Sequence, residues 1–379
     1  MSYQRIVKFL KVRLSLCSVI ILITACITSS LEAESLAPIS KSTQFSIALI
    51  NPLSGVYQEY GQECQAGYQL ALSDYPDLEQ RGVVFLTEDD QSTPKMTVSA
   101  FQKVLAAEGE LLSVHVFSSA FALPVNPLSE ANKVPLVAVA SHPKFVSGNP
   151  YAISSWREAT HESQKFVNAF VRDSAQSVAI LSFENDYTLA VRDYVKAGLS
   201  NNNIAVVFDE IISDQVDYRA LLPKLLSKKP DTIFLNVLGP SYAQLVKQLY
   251  ELGYRGKKYS LNANARGSFV EAAGVEASEG IHFFGPDYYQ EFFTKHFVGK
   301  DLSDGYSNLF VCYLGLSFVL SEVEKLLQSG TLSRELLTKN LISATEFQVG
   351  GVTLPVQDRR VLYEFGESVL KKGKFVQYK

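Results

Sequence analysis

Phe45-Ser46-Ile47-Ala48-Leu49-Ile50 is an apolar run broken by one serine, and the polar stretch Asn51-Pro52-Leu53-Ser54-Gly55 follows it. A strand that is apolar at successive positions is covered on both faces, which points to a parallel sheet between helical layers. The pattern then repeats. Runs at 83–87, 112–117 and 135–140 read as further strands, with helices near 61–73, 94–107 and 123–132 between them. A second series places strands at 177–183, 204–210, 232–237, 259–262 and 280–284, alternating with helices near 161–173, 188–200, 217–227, 241–252 and 268–273. Two series of similar size predict two doubly wound, Rossmann-like α/β lobes, with a ligand cleft where the carboxyl ends of their strands face each other.

Residues 151–157 are the natural first crossover. Beyond residue 284 the pattern changes to helices near 290–298, 306–328 and 333–339, then strand-like pieces at 350–356 and 361–365. The expectation is a lobe 1 of residues 45–155 plus 285–345 and a lobe 2 of residues 156–284 plus 346–379. Several crossovers make a multi-strand hinge, and a hinge over a cleft makes a closing trap. The segment 309–320 is strongly apolar but only about a dozen residues long, which fits a buried helix and not a membrane span.

Residues 1–26 have the layout of a secretory signal. Arg5, Lys8, Lys11 and Arg13 precede an apolar stretch from Leu14 to Ala25, and Ile23-Thr24-Ala25-Cys26 has the form of a lipobox, with Cys26 as the lipidated first residue. The alternative is a soluble secreted chain cut after Ala33. Either places the mature protein outside the bacterial cytoplasm, in the periplasm, with membrane contact only through the lipid anchor. Loss of residues 1–25 removes four basic residues and no acidic ones, so the formal charge falls from -4 to -8. An acidic chain of this kind does not suit nucleic acid or an anionic membrane face. Cys64 and Cys312 sit in apolar helical patterns and read as buried thiols or as a single bridge.

No G-x-G-x-x-G follows the first strand, and no G-x-x-x-x-G-K-[ST], H-E-x-x-H or G-x-S-x-G occurs. Phosphate cradles, zinc-protease ligands and the hydrolase elbow are therefore lacking, and neither a cofactor nor a metal is expected. His115, His142, His161, His282 and His296 have no ligand-like spacing. Glu88-Asp89-Asp90 follows a strand; it is either a carboxylate pair or, more simply, the approach to a helix begun by Asp90 or Ser92 with Pro94 in its first turn.

Asn51-Pro52-Leu53-Ser54-Gly55, Tyr60-Gly61, Gly67, Ala71, Glu88-Asp89-Asp90, Pro94-Lys95, Phe117-Ser118-Ser119, Ala140-Ser141-His142-Pro143, Asn185-Asp186-Tyr187 and Asp217-Tyr218 occur in this order. Their joint spacing resembles the leucine/isoleucine/valine-binding family of type I periplasmic binding proteins over nearly the whole mature chain. The resemblance implies a non-enzymatic trap that delivers an amino acid or related carboxylate to an ABC transporter permease. It also implies a ligand carboxylate held by Ser118 or Ser119, with Ala140 and Ser141, near a helix N-terminus. Tyr60 would be an aromatic wall from lobe 1, Tyr187 one that closes from lobe 2, and Asn264 a lobe 2 contact.

Lobe 2 departs from the pattern. Where the family carries an acidic residue for the ligand ammonium, this chain has Asn262-Ala263-Asn264-Ala265-Arg266, and an aromatic position falls at Leu238-Gly239. A buried ammonium without a carboxylate is costly, so the resemblance leaves an ordinary α-amino acid in question. Arg266 reads either as a partner for a second acidic group or as a surface arginine. A ligand sensor and an envelope-interaction lipoprotein with a diverged cleft are the rival functions.

Overall fold

The computed structural model describes residues 44–213, 217–286 and 307–378. The leader with Cys26 and the helix expected over 290–298 lie outside these residues.

Lobe 1 is built on β1 (Phe45–Asn51), β2 (Val83–Asp89), β3 (Glu110–Phe117), β4 (Leu136–Val139) and β5 (Ala152–Ser154), parallel in the order β2-β1-β3-β4-β5. They are linked by α1 (Gln58–Ser73), α2 (Pro94–Leu105), α3 (Ser119–Asn132) and α4 (Pro143–Ser147). The opening run explains this placement. Ile47 and Leu49 of β1 face one core, whereas Ala48 and Ile50 face the other, so both faces of the strand are covered.

After α5 (Ala159–Arg172), lobe 2 repeats the same order. Its strands are β6 (Ser177–Phe183), β7 (Ala205–Ile212), β8 (Thr232–Asn236), β9 (Lys257–Leu261) and β10 (Ile281–Pro286), arranged β7-β6-β8-β9-β10. The helices are α6 (Asp186–Asn201), α7 (Leu222–Ser227), α8 (Tyr242–Glu251), α9 (Gly267–Ala273) and α10 (Val275–Ser278). In each lobe the connections reverse direction at the first strand, which opens a crevice beyond the carboxyl ends of the strands.

The acidic run that closes β2 is structural. Glu88 pairs with Lys103 at 2.7 Å, and Asp89 accepts from Leu53 N, Ser54 N and Ser54 Oγ, fixing the loop after β1. Asp90 accepts from Ser92 N and Thr97 Oγ1. The helix cap is Thr93 and neither Asp90 nor Ser92: its Oγ1 accepts from Met96 N, with Pro94 next in line. Thr93 is also a residue type that caps helices, and its extended backbone selects it over the two expected residues.

The carboxyl-terminal part corrects the expected lobe boundary. α11 (Ser307–Gln328) lies along α1, and Cys64 and Cys312 form a disulfide across that contact with Cα atoms 5.2 Å apart, so the thiol reading gives way to the bridge. After α12 (Arg334–Ser343), β11 (Glu346–Val349), β12 (Val352–Gln357) and β13 (Arg360–Val361) join the sheet of lobe 1, where Arg360 pairs with Ser154 of β5. The sequence pattern alone assigns them to lobe 2. Phe347, Val349, Leu354 and Val356 alternate toward the core, with the Phe347 ring 5.1 Å from that of Phe318 in α11, and this apolar face seats the hairpin on lobe 1. Only β14 (Phe365–Lys371) and β15 (Lys374–Gln377) extend the sheet of lobe 2, antiparallel beside β10. Among the described residues no helix is long and apolar enough to cross a membrane.

The crossovers at 155–158 and 362–364 run side by side. The Tyr363 hydroxyl donates to Ser155 O at 3.0 Å, and Trp156 packs edge-on against Tyr363 and Phe365.

Candidate functional site

The loops beyond β1, β3, β4, β6, β8 and β9 meet between the lobes and enclose a cavity of about 60 Å³. Lobe 1 contributes Tyr57, Tyr60, Phe117, Ser118, Ser119, Phe121, Val139, Ser141 and Asn308; the crossover contributes Trp156; lobe 2 contributes Asn185, Tyr187, Leu238 and Ala263. The lining therefore carries the hydroxyls of three serines and the amides of Asn185 and Asn308, and the rest is mainly apolar and aromatic.

The serine end is built on strain and an unmet hydroxyl. Ser118 has φ 74° and ψ 146°, a region costly for any residue with a Cβ, and its side chain makes no capping bond to the helix it precedes. Ser119 opens α3, earlier than the start expected near residue 123. Its Oγ accepts from His142 N at 3.2 Å and so ties the β3 and β4 loops together. Ser141 is 2% exposed, and its hydroxyl, in a cavity wall, has no hydrogen-bond partner among the described residues. A buried polar atom of that kind is uncommon and suits a group supplied by a ligand.

Ala140 is placed differently. It is fully buried in the core under α3, and its carbonyl accepts from Ser154 Oγ and Arg360 Nη1, so it supports the loop from behind and does not line the cavity.

Tyr187 enters from α6 of lobe 2 and donates its hydroxyl to Glu162 Oε1 at 2.9 Å, while Trp156 Nε1 donates to Glu162 Oε2 at 3.4 Å. Burial pushes the Glu162 carboxyl up to about 7, against those two hydrogen bonds. Tyr60 faces it from α1. Its hydroxyl accepts from Gly239 N at 3.2 Å and donates to Asn264 Oδ1 at 3.4 Å, both in lobe 2, so the lobes are in contact across the site. Gly61 lets α1 approach the β1 loop, since a Cβ there would lie 2.1 Å from Pro52 O.

Asn264 does not reach the inner cavity. It holds Val237 O and Ser260 Oγ through Nδ2 and, with Tyr60, lines an outer cavity of about 500 Å³. Arg266 is 6% exposed and lines the same outer cavity, so it is no surface arginine. Among the described residues the inner lining contains no Asp or Glu.

Tyr60, Ser118, Ser119, Ser141 and Tyr187 thus come together from separate parts of the chain, whereas Asn264 lies outside the inner cavity and Ala140 stands behind its wall. Glu162, Trp156, Phe117, Phe121 and Asn308 are additions that sequence reasoning missed. Trp156 carried a usable signal, being the chain's single tryptophan and lying in the crossover. Glu162 carried none, since a lone glutamate on an amphipathic helix reads as solvent-facing.

This geometry agrees with what the chain is similar to. Residues 44–310 match the family described as periplasmic binding protein. The Leu/Ile/Val-binding protein BraC3 of Rhizobium johnstonii is 28% identical over 273 residues, covering 69% of this chain and 71% of that protein. The leucine-binding protein LivK of Thermotoga maritima superposes with a TM-score of 0.78 at 19% identity, over 88% of this chain and 98% of that one. A solute-binding protein of an ABC transporter from R. palustris, solved in complex with benzoate, gives a TM-score of 0.75 at 17% identity over 88% and 95%. With a family match across most of its length, two doubly wound lobes and a cavity between them, the chain belongs to the periplasmic binding protein family.

Proposed function

We propose that this protein is an extracytoplasmic solute-binding protein that captures a small carboxylate-bearing molecule by closure of its lobes and presents it to an ABC transporter permease. It is a binding protein and not an enzyme, in keeping with the relatives named above. The observation that carries the reading is the unpartnered, buried Ser141 hydroxyl facing an aromatic cavity beside Ser118 and Ser119 at the start of α3. Hydroxyl donors at a helix N-terminus stabilise an anion, and the apolar remainder takes its carbon skeleton. With no carboxylate among the described lining residues, a ligand ammonium would lose its hydration without a charged partner there. The preferred ligand is therefore a carboxylate with an apolar body and no amine, the chemical class of the benzoate in the R. palustris structure. Cys26 tethers the protein to the envelope through lipid, and a Cys26→Ser change is expected to make detergent-phase protein soluble.

An α-amino acid is the second reading, favoured by the ligands in the name of BraC3 and by Glu162, which touches two cavity-wall residues. The test is a thermal-shift and calorimetric titration of protein refolded to strip ligand, against benzoate, 4-methylvalerate, leucine, isoleucine and valine. Ligand at 100 times its Kd adds about 2.7 kcal/mol. Binding of the amine-free acids that disappears in the Ser118→Ala, Ser141→Ala double variant supports the proposal. Binding that survives the double variant refutes the site, and binding of leucine alone transfers the case to the second reading.

A further inference from the structure

Arg266 follows β9 in lobe 2, yet among the described residues its charged partners lie on lobe 1. Its Nη1 is 3.2 Å from Glu59 and its Nη2 is 3.0 Å from Glu63, both on α1. Glu63 also accepts from Asn308 Nδ2 of α11 at 2.7 Å, and burial pushes its carboxyl up while Arg266 pulls it down. The guanidinium sits 4.1 Å over the ring of Tyr60, the residue that walls both the inner and the outer cavity. One arginine thus takes up two carboxylates and an aromatic face across the cleft.

We infer that Arg266 is a built-in cross-cleft cation: it draws lobe 2 onto lobe 1 through Glu59 and Glu63, so that closure requires no positive charge on the captured solute. In an open molecule its guanidinium would be hydrated. On closing it loses that water, which is repaid only by well-placed anions, and its planar fork meets one carboxylate with each terminal nitrogen. Without it, Glu59 and Glu63 would stand together on α1, with Glu63 in a partly buried site and no cation facing it, and closure would cost more.

The same residue limits what the inner cavity accepts. One face of Tyr60 lies under Arg266, and its ring is stacked at 19° on Phe117 with centroids 6.4 Å apart. The Tyr60 face under Arg266 is therefore closed to the ammonium of a solute, and among the described residues the cavity lining offers no carboxylate in its place. Arg266 acts as a positioning residue, setting the lobe arrangement in which Ser118, Ser119 and Ser141 meet their ligand. The selectivity part rests on the solute-capture reading; the closure part does not.

Small-angle scattering of the ligand-stripped full-length protein tests closure without any solute. The wild type is expected to scatter as the compact, closed form. Arg266→Ala, and separately the Glu59→Gln, Glu63→Gln pair, should lower the closed-to-open ratio on the order of tenfold and expand the particle, with Arg266→Lys between them and the wild type. Unchanged circular dichroism shows that the variants are folded, and the glutamine pair covers the case in which Arg266→Ala does not fold. Variant curves that coincide with the wild type, or a wild type that is open without solute and closes equally well in Arg266→Ala with solute, overturn the inference. In a second arm benzoate and leucine are the probes. Weaker benzoate binding in Arg266→Ala, by at least about fivefold, supports the inference, and equal binding in both proteins refutes it while leaving the capture reading intact. If neither probe binds the wild type, the capture reading loses its support, and the scattering arm still decides closure.

Discussion

Replacing Glu162 with glutamine should flatten part of the pH dependence of stability. The side chain is fully buried between Tyr187 and Trp156, and burial raises its carboxyl from the ordinary 4.5 to about 7 in the folded protein. A folded-state value above the unfolded one means that the folded form holds the proton more tightly. The contribution of Glu162 is therefore complete below about pH 4.5 and is lost as pH rises through about 7. The difference corresponds to about 3 kcal/mol, because each tenfold gain in proton affinity is worth about 1.4 kcal/mol and the group is shielded from solvent screening. Urea unfolding at intervals from pH 4.5 to 8.5, on wild type and variant, isolates this contribution, since every other titrating group is common to both. The wild type should lose about 3 kcal/mol relative to the variant across that range. The glutamine amide facing Trp156 Nε1 imposes its own penalty, but a constant one that does not alter the slope. Parallel curves for the two proteins would refute the reasoning and mean that water reaches Glu162 through the cavity wall.

Changing Cys64 and Cys312 to serine opens a loop spanning a sequence separation of 248 and should cost up to about 5 kcal/mol, or about 7 °C in Tm by calorimetry. Equal melting of oxidised wild type and variant would show that the bridge does not form. Ser118→Gly relieves the backbone at φ 74° and should raise stability by about 1 kcal/mol in thermal denaturation while weakening capture of benzoate. A loss of stability would show that the Ser118 side chain, and not its backbone, sets that turn.

The strand-helix alternation from residue 45 to 286 was legible because parallel strands covered on both faces are written as apolar runs of the kind seen at 45–50 and 178–181. The hairpin at 346–357 falls in the other lobe for the opposite reason. A half-buried antiparallel hairpin shows alternation but carries no mark of which sheet edge it will join, and that is settled by Phe347 meeting Phe318 on a distant helix. In the candidate site, short motifs pointed to Ser118, Ser119, Ser141, Tyr60 and Tyr187, since each sits in a loop after a strand or in the first turn of the helix that follows it. Arg266 is harder to read, because its carboxylates lie on α1, far away in the chain, and composition around residue 266 says nothing of them. Ala140 shows the limit of a motif at single-residue scale: its neighbour Ser141 lines the inner cavity, and it faces the core.

Lobe 1 is completed only by strands that come after the whole of the central α/β series of lobe 2, since Arg360 must find Ser154 across everything between them. The order of synthesis and the order of assembly therefore differ. As the chain emerges, the parallel core of lobe 2 can close on itself while the β5 edge of lobe 1 still waits for its partner. Non-local pairing of this kind slows folding and leaves an unpaired strand edge open to association with other chains. The chain is therefore most exposed to misassembly between the emergence of β5 and that of β13, and a slow final phase reported by Trp156, whose neighbours Tyr363 and Phe365 arrive last, is the kinetic mark of that interval.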